Sequence, residues 1–360
     1  MNWLLPPLAP NFGAALRDVH AVRAESRMAA AERLGRAEGA ELEPAITGLS
    51  ELAADVHPGV RATALAALGL IGGEEQLDVV LAAFDDEAPE VRELAAVAAA
   101  QIGGEAALTY LTRALQSEQP EVRFQAVSGV AELAPDEASA LLLPLLSDPD
   151  AEVRAQVIGS LAELGEPHLA GHLAHALGDR SDDVRLEAAL ALARLGDPRA
   201  EAPLLQALYA RNRVADVARA LSQLGCIKAC DPIAEIAGSF FLPPHLRAEL
   251  GAALVKLGDP RGAPALKRVL SGLRSDARSY AVELAREVDA QDVVPELARL
   301  ATRLRGVDPF TLVEALANFA ERAPEASSAL ARLAQRGDAV GEAARRAVLC
   351  SRTQESAPTR

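Results

Sequence analysis

Aromatic side chains are nearly missing from this chain: they make up 3% of its 360 residues, while apolar residues together make up 50%. An interior without bulky rings has to be filled by Ala, Leu and Val, and small side chains let helices approach closely, so thin stacked layers are favoured over one large core. Cysteine is scarce as well. Cys226, Cys230 and Cys350 form an odd set with no CxxC, which argues against a disulfide framework and a cysteine-based structural zinc site. No apolar run approaches the roughly 18–20 residues of a membrane span. The first ten residues lack a basic stretch and contain Pro6, Pro7 and Pro10, unlike a secretory signal. A cytoplasmic protein is the expectation. Lysine occurs only as Lys228, Lys256 and Lys267, so nearly all positive charge is Arg. GxxxxGK[ST], GxGxxG and GxSxG are all absent, which removes the common nucleotide-binding and serine-nucleophile signatures.

What the chain does have is a period. A Val-Arg dipeptide returns every 31 residues, as Val60-Arg61, Val91-Arg92, Val122-Arg123, Val153-Arg154 and Val184-Arg185. Each is followed by an Ala- and Leu-rich stretch that closes on a small residue, at Gly72, Gly103, Ala134, Gly165 and Gly196. A fixed period of this length marks a solenoid, whose units bury their apolar faces only against neighbours, so one elongated domain is expected in spite of the length. Charge is unevenly spread. Residues 40–200 carry nine basic side chains against 28 acidic, and residues 201–360 carry 22 against 19. The acidic stretch repels phosphate backbones, which disfavours nucleic acid along the whole array and favours a basic protein segment as partner.

Each unit reads as two helices. In the unit at residues 74–103, Leu77, Val80 and Leu81 share a helical face, Asp85-Asp86-Glu87-Ala88-Pro89 turns the chain, and a second helix runs to Gly103. Asp and Ser before the second helices suit N-caps, and Pro suits the first turn. The Asp-Pro turn, the Val-Arg opening, the Ala-rich body and the Leu-Gly or Leu-Gly-Asp-Pro ending at 195–198 and 257–260 resemble HEAT repeats, above all the short variety named after phycobilisome lyases. The resemblance is clear over residues 44–286 and weaker to about 350. It implies an all-α fold, a right-handed alpha-alpha superhelix (HEAT-like solenoid) of about ten two-helix repeats. It also implies a structural ladder in which Arg61, Arg92, Arg123, Arg154 and Arg185 bond to Asp55, Asp86, Asp148 and Asp179.

Residues 11–38 read as helix, with Val22-Arg23 as a degenerate repeat opening, so residues 1–43 are expected to form an N-terminal helical cap to a solenoid over 44–350. The closing glycines then fall at 196, 225 and 258, and Val214 stands where Arg is due. That register break, near 213–245, predicts a local change of curvature. Arg247 and Arg278 restore the pattern. The tail, residues 351–360, has no periodicity and is expected to be disordered.

Little here points to catalysis. His168, His172 and His175 share one face of a helical spacing and form a weak candidate metal site, with a solvated helix flank as the plainer reading. HEAT-like deoxyhypusine hydroxylases use His-Glu pairs, and none occurs here. HEAT-like DNA glycosylases are basic with an aromatic-bearing cleft, which this acidic chain with its lone Trp3 does not match. A bilin or chromophore lyase, implied only by the family name, stays as the enzymatic alternative. No cofactor is expected.

The turns between first and second helices carry a different signal. They are acidic up to Val184, but later ones hold Tyr209, Arg211, Arg213, Phe240, Phe241, Leu242, Leu273, Arg274 and Arg305. Turns of adjacent repeats line one edge, so these residues would form an apolar patch rimmed by Arg, as at protein interfaces. Alternatively, Phe240 and Phe241 turn inward to fill the gap left by the shifted register. The third position after each repeat Val holds Thr63, Leu94, Gln125, Gln156, Glu187, Glu249 and Tyr280, varied residues that would tune an inner face. The expected function is a scaffold or adaptor binding another protein or peptide, with no membrane span.

Overall fold

The local chemistry that starts each second helix is the same along the chain. Pro58, Pro89 and Pro120 each sit at the first position of their helices, where the fixed φ is helical and a missing N–H costs nothing. Asp150 caps the next helix, its side chain accepting from the amides of Glu152 and Val153. The far ends stop on residues that cannot continue. Gly103 and Gly165 have φ of 73° and 70°, the left-handed region that glycine enters without strain.

The computed structural model describes residues 11–304 and 306–355, and no strand occurs among them. The chain divides between Ala191 and Leu192 into two units. In the first, the helices are α1 Phe12–Asp18, α2 Ala24–Leu34, α3 Leu42–Leu52, α4 Pro58–Ile71, α5 Leu77–Ala82, α6 Pro89–Ile102, α7 Gly104–Ala114, α8 Pro120–Leu133, α9 Pro135–Leu142, α10 Ala151–Glu163 and α11 Ala170–His175. Helix α12, Asp182–Arg194, runs across the division. The second unit continues with α13 Glu201–Tyr209, α14 Val214–Gln223, α15 Cys230–Gly238, α16 Pro244–Lys256, α17 Gly262–Leu270, α18 Ser275–Glu287, α19 Val294–Arg303, α20 Pro309–Phe319, α21 Pro324–Ala334 and α22 Ala339–Glu355. Even-numbered helices are the second helices of each pair. They pack in series, α2 on α4, α4 on α6, α6 on α8 and α8 on α10, and likewise α14 through α22.

Small residues set that spacing. Ala95, Ala98 and Ala99 of α6 are fully buried, and a Cβ on Gly69 of α4 would lie 2.9 Å from the Ala98 Cα. The first helices supply bulk: Leu111 and Leu142 join Leu65, Leu68 and Leu161 as fully buried side chains, each worth roughly 1.5–3 kcal/mol. In the second unit the core runs from Ala248 to Ala344 around Phe319.

Several expectations need correction. Residues 11–38 form two helices, α1 and α2, with a turn between them. The repeat opening there is Ser26-Arg27, because Arg27 reaches back to the Ala21 and Val22 carbonyls as Arg61 reaches back to those of Asp55 and Val56. Val22 is exposed. Helix α14 begins at Val214, the position that is fourth in α4 and α16, so it lacks its first turn. Arg211 and Arg213 in the preceding loop have φ of 56° and 42°. At the C-terminal end α22 extends to Glu355, past the start of the expected tail, while residues 356–360 lie outside the described residues.

Candidate functional site

The ladder occupies one edge of the first unit and repeats a single geometry. Nε and a terminal nitrogen of Arg61 donate to the two carboxylate oxygens of Asp86 at 2.7 and 2.6 Å. Arg123 does the same to Asp148 at 2.7 and 2.7 Å, and Arg154 to Asp179 at 2.8 and 2.8 Å. Each Arg partners an Asp 25 residues on, in the next repeat's turn. Its remaining nitrogen donates to carbonyls of its own turn, as from Arg154 to Asp148 and Pro149. Each Asp also accepts from the amide two residues on, at His57, Ala88, Asp150 and Ser181. One carboxylate thus shapes a turn and ties two repeats together. Asp55 and Asp179 are held below the ordinary carboxylate pKa by the hydrogen bonds from Arg27 and Arg154. At Asp86 and Asp148 burial pushes upward, but the bonds from Arg61 and Arg123 and from the turn amides outweigh it.

The ladder has one irregular rung and an end. The residue 25 positions after Arg92 is Ser117, and Arg92 turns instead to Glu121, leaving its Nε buried without a partner. Arg27, which binds Asp55 at 2.6 and 2.8 Å, and Glu121 were not readable from the period. The one is displaced from it by the longer first repeat, and the other stands outside the turn position. Arg185 pairs within its own helix with Asp182, since position 210 is Ala. Arg247 is buried and bonds only carbonyls, those of Ala237, Ser239 and Leu242. Return of the Arg at position 247 does not return the ladder pair, because the residue 25 positions on is Gly272.

Those later turns are where the aromatics come out. Phe240 is 76% exposed and Phe241 90% exposed, so the inward reading of this pair is set aside. Their rings meet edge to face, with centroids 5.2 Å apart, and the Arg268 guanidinium lies 5.9 Å from the centre of Phe240. Arg268 was missed by a reading confined to turns, since it sits on α17. Tyr209 and Leu273 are exposed at the turns of the flanking repeats, with Arg211, Arg213 and Arg274 also exposed. Leu242 is half-buried, and Arg305 lies outside the described residues. Among the described residues, every strongly exposed aromatic follows residue 200.

On the second-helix face, the varied third positions are joined laterally. Gln125 donates to Glu93 at 3.0 Å and Gln156 to Ser128 at 2.7 Å. In the second unit the Tyr280 hydroxyl donates to Glu249 at 2.8 Å, and Arg219 donates to the same carboxylate. Burial and the Glu249 bond push the Tyr280 hydroxyl up to about 12.

Residues 46–131, 113–185 and 139–225 match the family described as HEAT repeats, half of the sequence taken together. The chain belongs to the HEAT-repeat family. Residues 246–272 match the PBS lyase HEAT-like repeat. Among solved structures, the HEAT array is similar to YibA of Escherichia coli, with 20% identity over 69% of this chain and 93% of that one at a TM-score of 0.52. It is also similar to Kap121p, with 12% identity over 94% of this chain and 45% of that one at 0.44, and to human deoxyhypusine hydroxylase, with 18% identity over 76% and 95% at 0.32. No curated protein matches the sequence.

The histidines of this HEAT protein do not converge. His168 sits on a 3-10 turn, Pro167–Leu169, and only His172 and His175 lie on α11, so the i, i+4, i+7 face assumed for one continuous helix is not formed. His168 instead lies 3.5 Å from Glu166. Among the described residues no group of three or more His, Cys, Asp or Glu could hold a metal ion. None of the described helices is long and apolar enough to cross a membrane.

Proposed function

We propose that this HEAT-repeat chain is a non-enzymatic scaffold that docks a partner protein on the turn edge of its second unit. The observation that carries the reading is the exposure of Phe240 and Phe241 side by side in a chain with only seven Phe. Two adjacent rings in water forfeit burial energy of roughly 1.5–3 kcal/mol each, and exposed aromatics flanked by Arg are the usual anchors of protein interfaces. The exposed Arg211, Arg213, Arg268 and Arg274 around them select a partner segment with an apolar anchor and acidic flanks.

Site-specific photocrosslinking at position 241 in the native host tests this. A discrete crosslinked protein is expected, lost in the Arg268→Glu variant while the melting temperature stays unchanged. If position 241 captures nothing beyond what a control at the exposed Glu75 captures, the docking edge is rejected.

A further inference from the structure

The first unit has a turn edge of its own, and its chemistry is the reverse of the Arg-lined one. Beside the turns that open α6 and α8 lies a hollow of about 460 Å³. Phe84 and the α7 residue Tyr110 line it. Both are half-buried, with ring centroids 6.0 Å apart and planes tilted by 33°. Asp85 and Glu118 also line the hollow and are exposed, as is Glu87 in the same turn as Asp85. Among the described residues, Arg113 is the one basic side chain of the lining. Gln119 belongs to the lining too, and its Oε1 is buried without a hydrogen-bond partner.

The turns of the two units are opposite in charge. Residues 85–88 and 116–119 hold Asp85, Asp86, Glu87 and Glu118 and no basic residue. Residues 209–213, 239–244 and 271–274 hold Arg211, Arg213 and Arg274 and no acidic one. We infer, taking Phe240 and Phe241 as the docking edge proposed above, that its partner is a second copy of this chain. Phe241 of one copy enters the hollow against Phe84 and Tyr110 of the other, and Arg211, Arg268 and Arg274 meet Asp85, Glu87 and Glu118.

Charge and chemistry select this occupant. Aromatic rings favour edge-to-face and offset contact with other rings, which the exposed pair offers and the hollow accepts. An Arg has five donors and no acceptor, so it suits the carboxylates and the Gln119 oxygen alike. Two acidic edges repel each other, as do two Arg-lined ones, so the contact joins unlike edges. Each copy gives one edge and receives on the other.

The test is sedimentation velocity on the purified full chain at low salt, over a range of concentrations. Wild type is expected to sediment faster as its concentration rises. Two variants, each changed only at exposed positions, remove one edge apiece: Phe240→Ser/Phe241→Ser the giving edge, and Asp85→Lys/Glu118→Lys the receiving one. Each alone is expected to sediment as a monomer with its melting temperature kept. Mixed in equal amounts they are expected to associate again, since each supplies the edge that the other lacks. Should Asp85→Lys/Glu118→Lys fail to fold, Asp85→Asn/Glu118→Gln takes its place. Wild type that stays monomeric up to about 100 μM would overturn the second copy as the partner. So would a variant that still associates by itself, which places the contact elsewhere, or a mixture that stays monomeric. The docking edge stands or falls separately: if position 241 crosslinks in the host to a different protein while wild type stays monomeric, the edge is kept and the second copy is rejected.

Discussion

Arg123 and Asp148 are both buried and face each other through two parallel hydrogen bonds of 2.7 Å, the most enclosed pair in the ladder. Asp148 is committed four ways: to Arg123 twice, to the Asp150 amide, and through its carbonyl to Arg154. Removing the carboxylate strands a buried guanidinium. Asp148→Ala is therefore expected to cost about 3–5 kcal/mol, read as a lower midpoint in the urea unfolding of the first unit. A loss below about 1 kcal/mol would place the pair among ordinary surface ion pairs.

The irregular rung predicts the opposite sign. Arg92 is 7% exposed, its Nε has no partner, and Ser117 occupies the turn position, its hydroxyl accepting from the Gln119 amide as the ladder Asp residues accept from theirs. Ser117→Asp supplies the missing carboxylate and keeps that turn bond. It is expected to raise stability by about 1 kcal/mol, seen as a higher melting temperature. A lower one would mean that Glu121 already satisfies Arg92.

Much of this architecture was legible because it repeats. The Val-Arg period places Arg61, Arg123 and Arg154 on one edge, and the turn Asp at a constant offset. Arg27 escaped because the first repeat is longer, and Glu121 because a longer side chain answers from the helix where the turn offers only Ser. The outward setting of Phe240 and Phe241 could not be read from the pattern. A two-residue register shift leaves either a gap to fill or a helix to shorten, and here α14 shortens at Val214.

The ladder also sets a pH dependence. Asp55, Asp86, Asp148 and Asp179 have folded-state pKa values below the ordinary 3.8. A depressed carboxylate contributes stability that is fully present above its unfolded value and is lost as pH falls through the folded one. The stability difference between wild type and Asp148→Asn is thus expected to be constant from about pH 5 to 8 and to shrink as pH falls below 3.8. A difference that holds unchanged at pH 2 would show that shape rather than charge sets the contribution.

Two sets of phenylalanines separate surface from core in the second unit. Phe319 is fully buried and packed with Leu312, Leu316 and Leu330 in one cluster, so Phe319→Ala is expected to cost about 3–5 kcal/mol through lost burial and the cavity left behind. Phe240 and Phe241 are 76% and 90% exposed, so Phe240→Ser/Phe241→Ser is expected to change stability by no more than about 0.5 kcal/mol. The two variants, melted side by side, give the contrast directly. If the double variant falls as far as Phe319→Ala, the rings are supporting the shifted repeat, and the Arg-rimmed edge is a structural seam with nothing to offer a partner.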